Sequence, residues 1–176
     1  AYVGVGLFAA LDDTVAGRSD YLSRICSGEL RLAIGHQCSP LVADAHLAEV
    51  LILQYGDEVH IVPRESIDNV VNLSIDSSRR LSQVNWQPKG ETCITSGEAG
   101  AKIWHETLNR GALSVAGQLL GLAQRMLDLS VDYSVQRKQF GKAIGSFQAV
   151  KHHLADVAGK IEIAKPVLYR AACSVE

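Results

Sequence analysis

YSVQRKQFGKAIGSFQAVKHHLAD, residues 133–156, is the stretch that decides the fold. An amphipathic helix ends in Arg137, Lys138 and Gln139. A five-residue turn flanked by glycines, Gly141 to Gly145, reverses the chain, and a second amphipathic helix is predicted to start at Ser146. Ser146 suits an N-cap, its hydroxyl free to accept an amide proton from the first turn. Two polar side chains, Arg137 and Gln148, sit at the corner of an otherwise apolar helical hairpin. A guanidinium is a rigid fork of donors that matches phosphate oxygens and keeps its charge near neutral pH, so an arginine here is placed to meet a diphosphate. The competing reading is that Arg137, Lys138 and Lys142 only complement the negative end of the first helix.

Downstream of the corner, Phe147, Val150, Leu154, Val157, Ile161, Ala164, Leu168 and Ala171 recur at alternating steps of three and four. That spacing is an a/d seam, the packing of an antiparallel bundle. Pro166 falls inside the pattern, where a kink is expected together with a lost bond to the Glu162 carbonyl. Upstream, Leu108, Leu113, Ala116, Leu120, Ala123, Leu127 and Val131 carry one helix from near Ala99 to Arg137. At about 1.5 Å per residue it would be roughly 55–60 Å long. Helices of that length draw their stability from packed neighbours.

Before Gly97 the period changes. Leu30, Leu32 and Ile34 alternate with polar residues, as in a half-buried strand. Val50 to Leu53 and Val59 to Val62 are apolar runs joined through Gly56-Asp57, a plausible hairpin turn. Pro63 should end the second run, because it cannot donate to a ladder. Further strands are predicted near 69–75, 82–86 and 92–95. The predicted class is therefore α+β in three parts. Residues 1–27 end a helical domain, 28–96 form a small, shortened β-rich middle domain, and 97–176 supply the first two long helices of a four-helix bundle. No start signal precedes the first helix and no C-cap glycine closes the last, so a piece of a longer polypeptide is expected.

The 176 residues are 47% hydrophobic, enough to bury a core, and a formal charge of −2 argues for neither a nucleic-acid nor a membrane-surface partner. The apolar runs are broken before the ~20 residues of a membrane span. Four cysteines without C-x-x-C spacing, and no visible signal peptide, suggest reduced thiols in the cytoplasm. No metal site is predicted. His152 and His153 diverge by ~100° on a helix, Cys38 with His36 and His46 lacks zinc spacing, and Asp12-Asp13 flank a helix end. Gly4-x-Gly6 lacks a following phosphate-loop pattern.

The run R-x-Q-F-G-x-x-I-G-S-F-Q-A-V-K-H-x-L-A-D at Arg137 to Asp156 resembles the helix-turn-helix signature of the acyl-CoA dehydrogenase family. The likeness extends through Arg110 and Leu119-Leu120-Gly121-Leu122-Ala123-Gln124 upstream and Ile161-Glu162-Ile163-Ala164 downstream. It implies FAD as cofactor and desaturation of acyl-CoA thioesters to 2-enoyl-CoA. Positions matching Arg137 and Gln148 hold the adenosine diphosphate part of FAD seated mainly in a neighbouring subunit, and those matching Lys138, Gln139 and Phe140 line the same corner. Oligomers, of the dimer-of-dimers kind, follow from the same resemblance.

The departures are informative. The family's catalytic glutamate lies in later helices or near the start of the first bundle helix, where Gly111 stands here. Glu106 is the nearest carboxylate, about a turn and a half away, so no catalytic residue is assigned. The Thr-Glu-Pro-like turn and the Trp/Tyr-Ile-Thr-Asn strand that cradle the flavin ring are absent. Gly35-His36-Gln37-Cys38-Ser39-Pro40 stands there instead, and Cys93-Ile94-Thr95-Ser96 is only an echo. The chain thus resembles the divergent subunits of actinobacterial heteromeric dehydrogenases acting on steroid or fatty acyl-CoA, in which a partner supplies the base. The alternative is a non-catalytic structural subunit that kept the bundle and lost the cofactor.

Overall fold

The computed structural model describes residues 2–13 and 15–175, so the reading of the chain's two ends at Ala1 and Glu176 lies outside the described residues. Helices α1 (Tyr2–Ala10) and α2 (Arg18–Ser27) come first. Strands β1 (Leu32–Gly35), β2 (Leu41–Ala43), β3 (Val50–Tyr55), β4 (Glu58–Pro63), β5 (Asp68–Val71), β6 (Leu81–Asn85) and β7 (Cys93–Thr95) follow. Helix α3 (Gly97–Gln136), a ribbon of β8 (Lys138–Gln139) and β9 (Lys142–Ala143), and α4 (Gln148–Ser174) complete the order. The chain divides into two compact units, Ala1–Arg110 and Gly111–Glu176.

In the first unit the two apolar runs pair as β3 and β4 around Gly56, whose φ of 60° a β-carbon would disfavour. The four-stranded sheet has the order β1-β3-β4-β7, with β1 parallel to β3 and the other pairs antiparallel. Both faces of its central strands are covered. Val50, Ile52, Val59 and Ile61 enter one core with Leu7, Phe8, Leu11, Ile25 and Trp104. Leu51, Leu53 and Val62 enter another with Ala33, Val42, Ala45 and Ala48. A strand buried on both sides gains from apolar residues at every position, which is why these runs are continuous rather than alternating. Each fully buried aliphatic side chain contributes roughly 1.5–3 kcal/mol.

Pro63 ends β4 as expected, opposite Val50. Three details differ from the sequence reading. A strand at 41–43 joins β6 and β5 in a separate antiparallel sheet. The strand expected over 69–75 stops at Val71. Beyond it Asp76 turns the chain by accepting hydrogen bonds from the Ser78 amide at 2.9 Å and hydroxyl at 2.6 Å, leaving Leu73 and Ile75 fully exposed. The Ser78 hydroxyl and amide hold the Asp76 carboxyl below its ordinary pKa. Gly4 and Gly6 turn out to be packing positions. A β-carbon there would lie 2.6 Å from Leu32 Cδ2 and 2.6 Å from Arg110 Cδ respectively.

In the second unit Pro166 lies within α4, where it cannot donate to the Glu162 carbonyl. The covered stripe of α4 departs from the predicted seam. It runs through Phe147, Val150, Leu154, Ala158, Ile161, Lys165 and Leu168, while Val157 is 43% exposed. A real helix turns every 3.6 residues, so a strict seven-residue pattern drifts off the covered line. The same holds for α3, where Ala116 and Val131 are exposed and Ser134 is buried. In the part of α3 that belongs to the first unit, Trp104 and Thr107 are buried and Leu108 is not. No helix among the described residues is long and apolar enough to cross a membrane.

Candidate functional site

The corner between α3 and α4 is built by backbone geometry. The Arg137 amide donates to Tyr133 O at 2.8 Å and finishes the helix. The Ile144 amide donates to Arg137 O at 2.8 Å, returning the chain to the same residue. Between them Lys138 pairs with Ala143 and Gln139 with Lys142. The two tip residues, Phe140 and Gly141, both have positive φ, 54° and 77°, as a tight two-residue hairpin turn requires. Gly145 backs onto α3 so closely that a β-carbon would lie 2.9 Å from Ser134 Oγ and 3.1 Å from its carbonyl oxygen. Buried Ser134 donates to Val131 O at 2.8 Å. No β-carbon would touch anything at Gly141. Gly141→Val therefore carries only backbone strain and is expected to cost about 1–2 kcal/mol, read from urea unfolding of the chain.

Arg137, Lys138, Gln139, Phe140 and Gln148 are all exposed, Phe140 at 91%. The structure brings them onto one short hairpin and the first residue of α4. The Arg137 guanidinium has no hydrogen bond or ion pair among the described residues. Lys142 Nζ lies 4.4 Å from the centroid of the Phe147 ring, which meets Phe140 edge-on at 6.2 Å. Between Asp132 and Asp156 the chain has no carboxylate but carries Arg137, Lys138, Lys142 and Lys151. Ser146 is not the N-cap. It sits in a 3₁₀ turn, Ile144–Ser146, and its hydroxyl donates to Ala143 O at 2.7 Å. Phe147 occupies the cap position and makes no side-chain cap bond. The first amides of α4 thus keep free donors. Exposed cations, an uncapped helix start and no acid together suit an anion.

A second cluster, unanticipated from sequence, lies in the first unit. Glu58, His60 and Cys93 bring one donor atom each to within 4.8 Å of one another. His60, 1% exposed, has Nε2 3.0 Å from Glu58 Oε2 and Nδ1 3.0 Å from Thr92 Oγ1. Burial pushes the Cys93 thiol above its ordinary pKa, and the Glu58 carboxylate adds to the rise. His60 fell in the predicted strand and Glu58 just before it, but the pairing with residue 93 was not visible. His36 and His46, weighed earlier as companions of Cys38, do not join it. Glu106 is half-buried in α3, and Gly111 brings no acid.

Residues 98–176 match the family described as acyl-CoA dehydrogenase, C-terminal domain. The chain is 44% identical over 109 residues to the short/branched chain specific acyl-CoA dehydrogenase, mitochondrial, of Rattus norvegicus, which is 62% of this chain and 25% of that protein. Its fold is similar to that of butyryl-CoA dehydrogenase from Megasphaera elsdenii, with a TM-score of 0.80 and 22% identity over 98% of this chain and 56% of the other. An FAD complex of PigA is similar too, with a TM-score of 0.76 and 20% identity over 94% of this chain and 54% of the other. The chain spans only 18% to 25% of the length of such curated relatives.

Proposed function

We propose, for a chain whose residues 98–176 match the C-terminal domain of the acyl-CoA dehydrogenase family, that it serves as a subunit or part of a flavin-dependent acyl-CoA dehydrogenase and lends Arg137 and Gln148 to an FAD site shared with a partner subunit. The observation that carries this reading is the Arg137 guanidinium, exposed and without a partner among the described residues, in a stretch, 133–155, that has no carboxylate. Its donors fit a diphosphate, and the open amides at the start of α4 add to the same pull. Arg137 would hold the diphosphate bidentately while Gln148 offers amide hydrogen bonds. Lys138, Gln139 and Phe140 would line the same anion. FAD, when bound, supplies the hydride acceptor for oxidation of the acyl chain.

A proton must also leave the α-carbon of the thioester, and no carboxylate stands at position 111 to take it. The base is therefore assigned to a residue beyond Glu176 or to the partner. Acyl-CoA as substrate, a homo- or hetero-oligomeric assembly of the dimer-of-dimers kind, a cytoplasmic setting and a role in fatty or steroid acyl degradation belong to the same proposal. So does the division of the chain at 27/28 and 96/97.

The test is reconstitution. The purified chain is expected to be colourless after incubation with FAD and gel filtration. Mixed with its companion subunit, it should elute with flavin absorbance near one FAD per pair. Stoichiometric flavin on this chain alone would refute the shared site. The absent acid also favours a second reading, a structural subunit without cofactor. In that case the assembled pair binds no flavin at all.

A further inference from the structure

We propose that Glu58, His60 and Cys93 form a zinc site in the four-stranded sheet, independent of any flavin. Strand alternation puts Glu58 and His60, two residues apart on β4, on the same face. The third ligand arrives through an irregularity. The β4–β7 register passes from Val59 opposite Thr95 to His60 opposite Cys93, so Ile94 is skipped. An unbroken ladder would set Ile94 against His60. The bulge sets a thiol there instead, and re-aiming a side chain is what such bulges do beside functional sites.

The donor atoms are within 4.8 Å of one another. Zinc at about 2.0–2.3 Å from each would set their separations at roughly 3.3–3.8 Å, opening the 3.0 Å His60–Glu58 pair slightly. The Glu58 side chain, 40% exposed, is free to swing by that amount.

The hydrogen bonds around His60 already suit a ligating imidazole. Thr92 Oγ1 lies 3.0 Å from His60 Nδ1 and 2.9 Å from Lys89 O. The Thr92 hydroxyl carries one proton, which leaves two arrangements. In one, the hydroxyl donates to Nδ1 and Nε2–H donates to Glu58, so Thr92 Oγ1 and Lys89 O, 2.9 Å apart, have no proton between them. In the other, Nδ1–H donates to Thr92, whose own proton goes to Lys89 O, and the bare Nε2 faces the Glu58 carboxylate. Two acceptors at 3.0 Å need a cation between them. A metal ion selects the second arrangement, and Thr92 then orients the ring in the way outer hydrogen-bond partners orient metal-bound histidines.

One imidazole, one thiolate and one carboxylate suit Zn²⁺, whereas Mg²⁺ and Ca²⁺ prefer oxygen throughout. Three protein ligands leave the fourth position to water. Coordination releases the Cys93 thiol proton to solvent.

The probes are Zn²⁺ and Co²⁺ alone, titrated into the 176-residue chain. One ion per chain is expected, and Co²⁺ should give a near-ultraviolet thiolate charge-transfer band with strong four-coordinate visible bands. Cys93→Ser should abolish that band and weaken zinc roughly 100-fold or more. Glu58→Gln and Thr92→Val should keep the band and weaken zinc about 10- to 100-fold. Cys26→Ser and Cys38→Ser, exposed thiols outside the cluster, should change nothing. Circular dichroism establishes that each variant is folded. A band that survives Cys93→Ser, or a folded chain that takes up no stoichiometric zinc, overturns the assignment.

Discussion

Arg137→Ala is expected to lower FAD retention in the assembled complex by on the order of 100-fold and to leave the melting temperature of the chain nearly unchanged. Hydrogen bonds to charged groups contribute about 1.5–3 kcal/mol each, and a bidentate grip on a diphosphate makes two. At about 1.4 kcal/mol per factor of ten, even the lower figure for both bonds gives that hundredfold. The side chain has no partner among the described residues, so its removal orphans none of them. Arg137→Lys keeps the charge and loses the fork, and should fall in between. Flavin fluorescence released on dilution measures the first effect, and thermal unfolding the second. If both variants keep the flavin as tightly as the parent, the guanidinium only complements a helix end.

Gly100→Ala is expected to be the most damaging single substitution in the first unit. A β-carbon there would lie 2.1 Å from the carbonyl oxygen of Asp57. Ordinary carbon–oxygen approaches are about 3.3–3.6 Å. Both sides are backbone, since Asp57 lies in the turn between β3 and β4 and Gly100 in the first turn of α3, its amide bonded to Ser96 O at 3.2 Å. Neither can rotate away as a side chain would. A cost of about 3–5 kcal/mol follows, near the upper end for point substitutions. At about 4–8 °C per kcal/mol for a unit of this size, melting should fall by more than 10 °C. The sign makes the test sharp. Helix propensity alone favours alanine over glycine by about 1 kcal/mol. Gly117→Ala and Gly121→Ala, in the same helix with open space around them, should therefore stabilise. A stabilised Gly100→Ala would show that the close approach is not real.

What could be read from the sequence was whatever repeats locally. The continuous apolar runs at 50–53 and 59–62, the Gly56 turn, the long periodicity through α3 and the glycine-rich corner each carry their signal within a few residues. Non-local facts were not legible. The brief strand at 41–43 is three residues long, too short for an alternation to show, and is defined by its pairing with β6. Ser146 has the chemistry of a cap but spends its proton on Ala143 in a preceding 3₁₀ turn. The approach of Gly100 to Asp57 joins positions that composition treats as unrelated. At the corner, Arg137 to Phe140 and Gln148 were nameable because they are neighbours in the chain. The thiol beside His60 was not, because a single skipped residue on another strand decides which side chain arrives there.

Among the described residues of Gly111–Glu176, only Ser134 and Ile161 are buried, while Leu119, Leu122, Met126, Leu129, Ile163, Val167 and Tyr169 each expose half or more of their surface. Whatever covers those side chains enters the folding equilibrium of this unit as a reactant. Its stability then obeys mass action, with the apparent midpoint of unfolding climbing as the covering species becomes more concentrated. If a separate subunit covers them, as the proposed assembly requires, dilution acts as a denaturant for these helices and the midpoint must be quoted with its concentration.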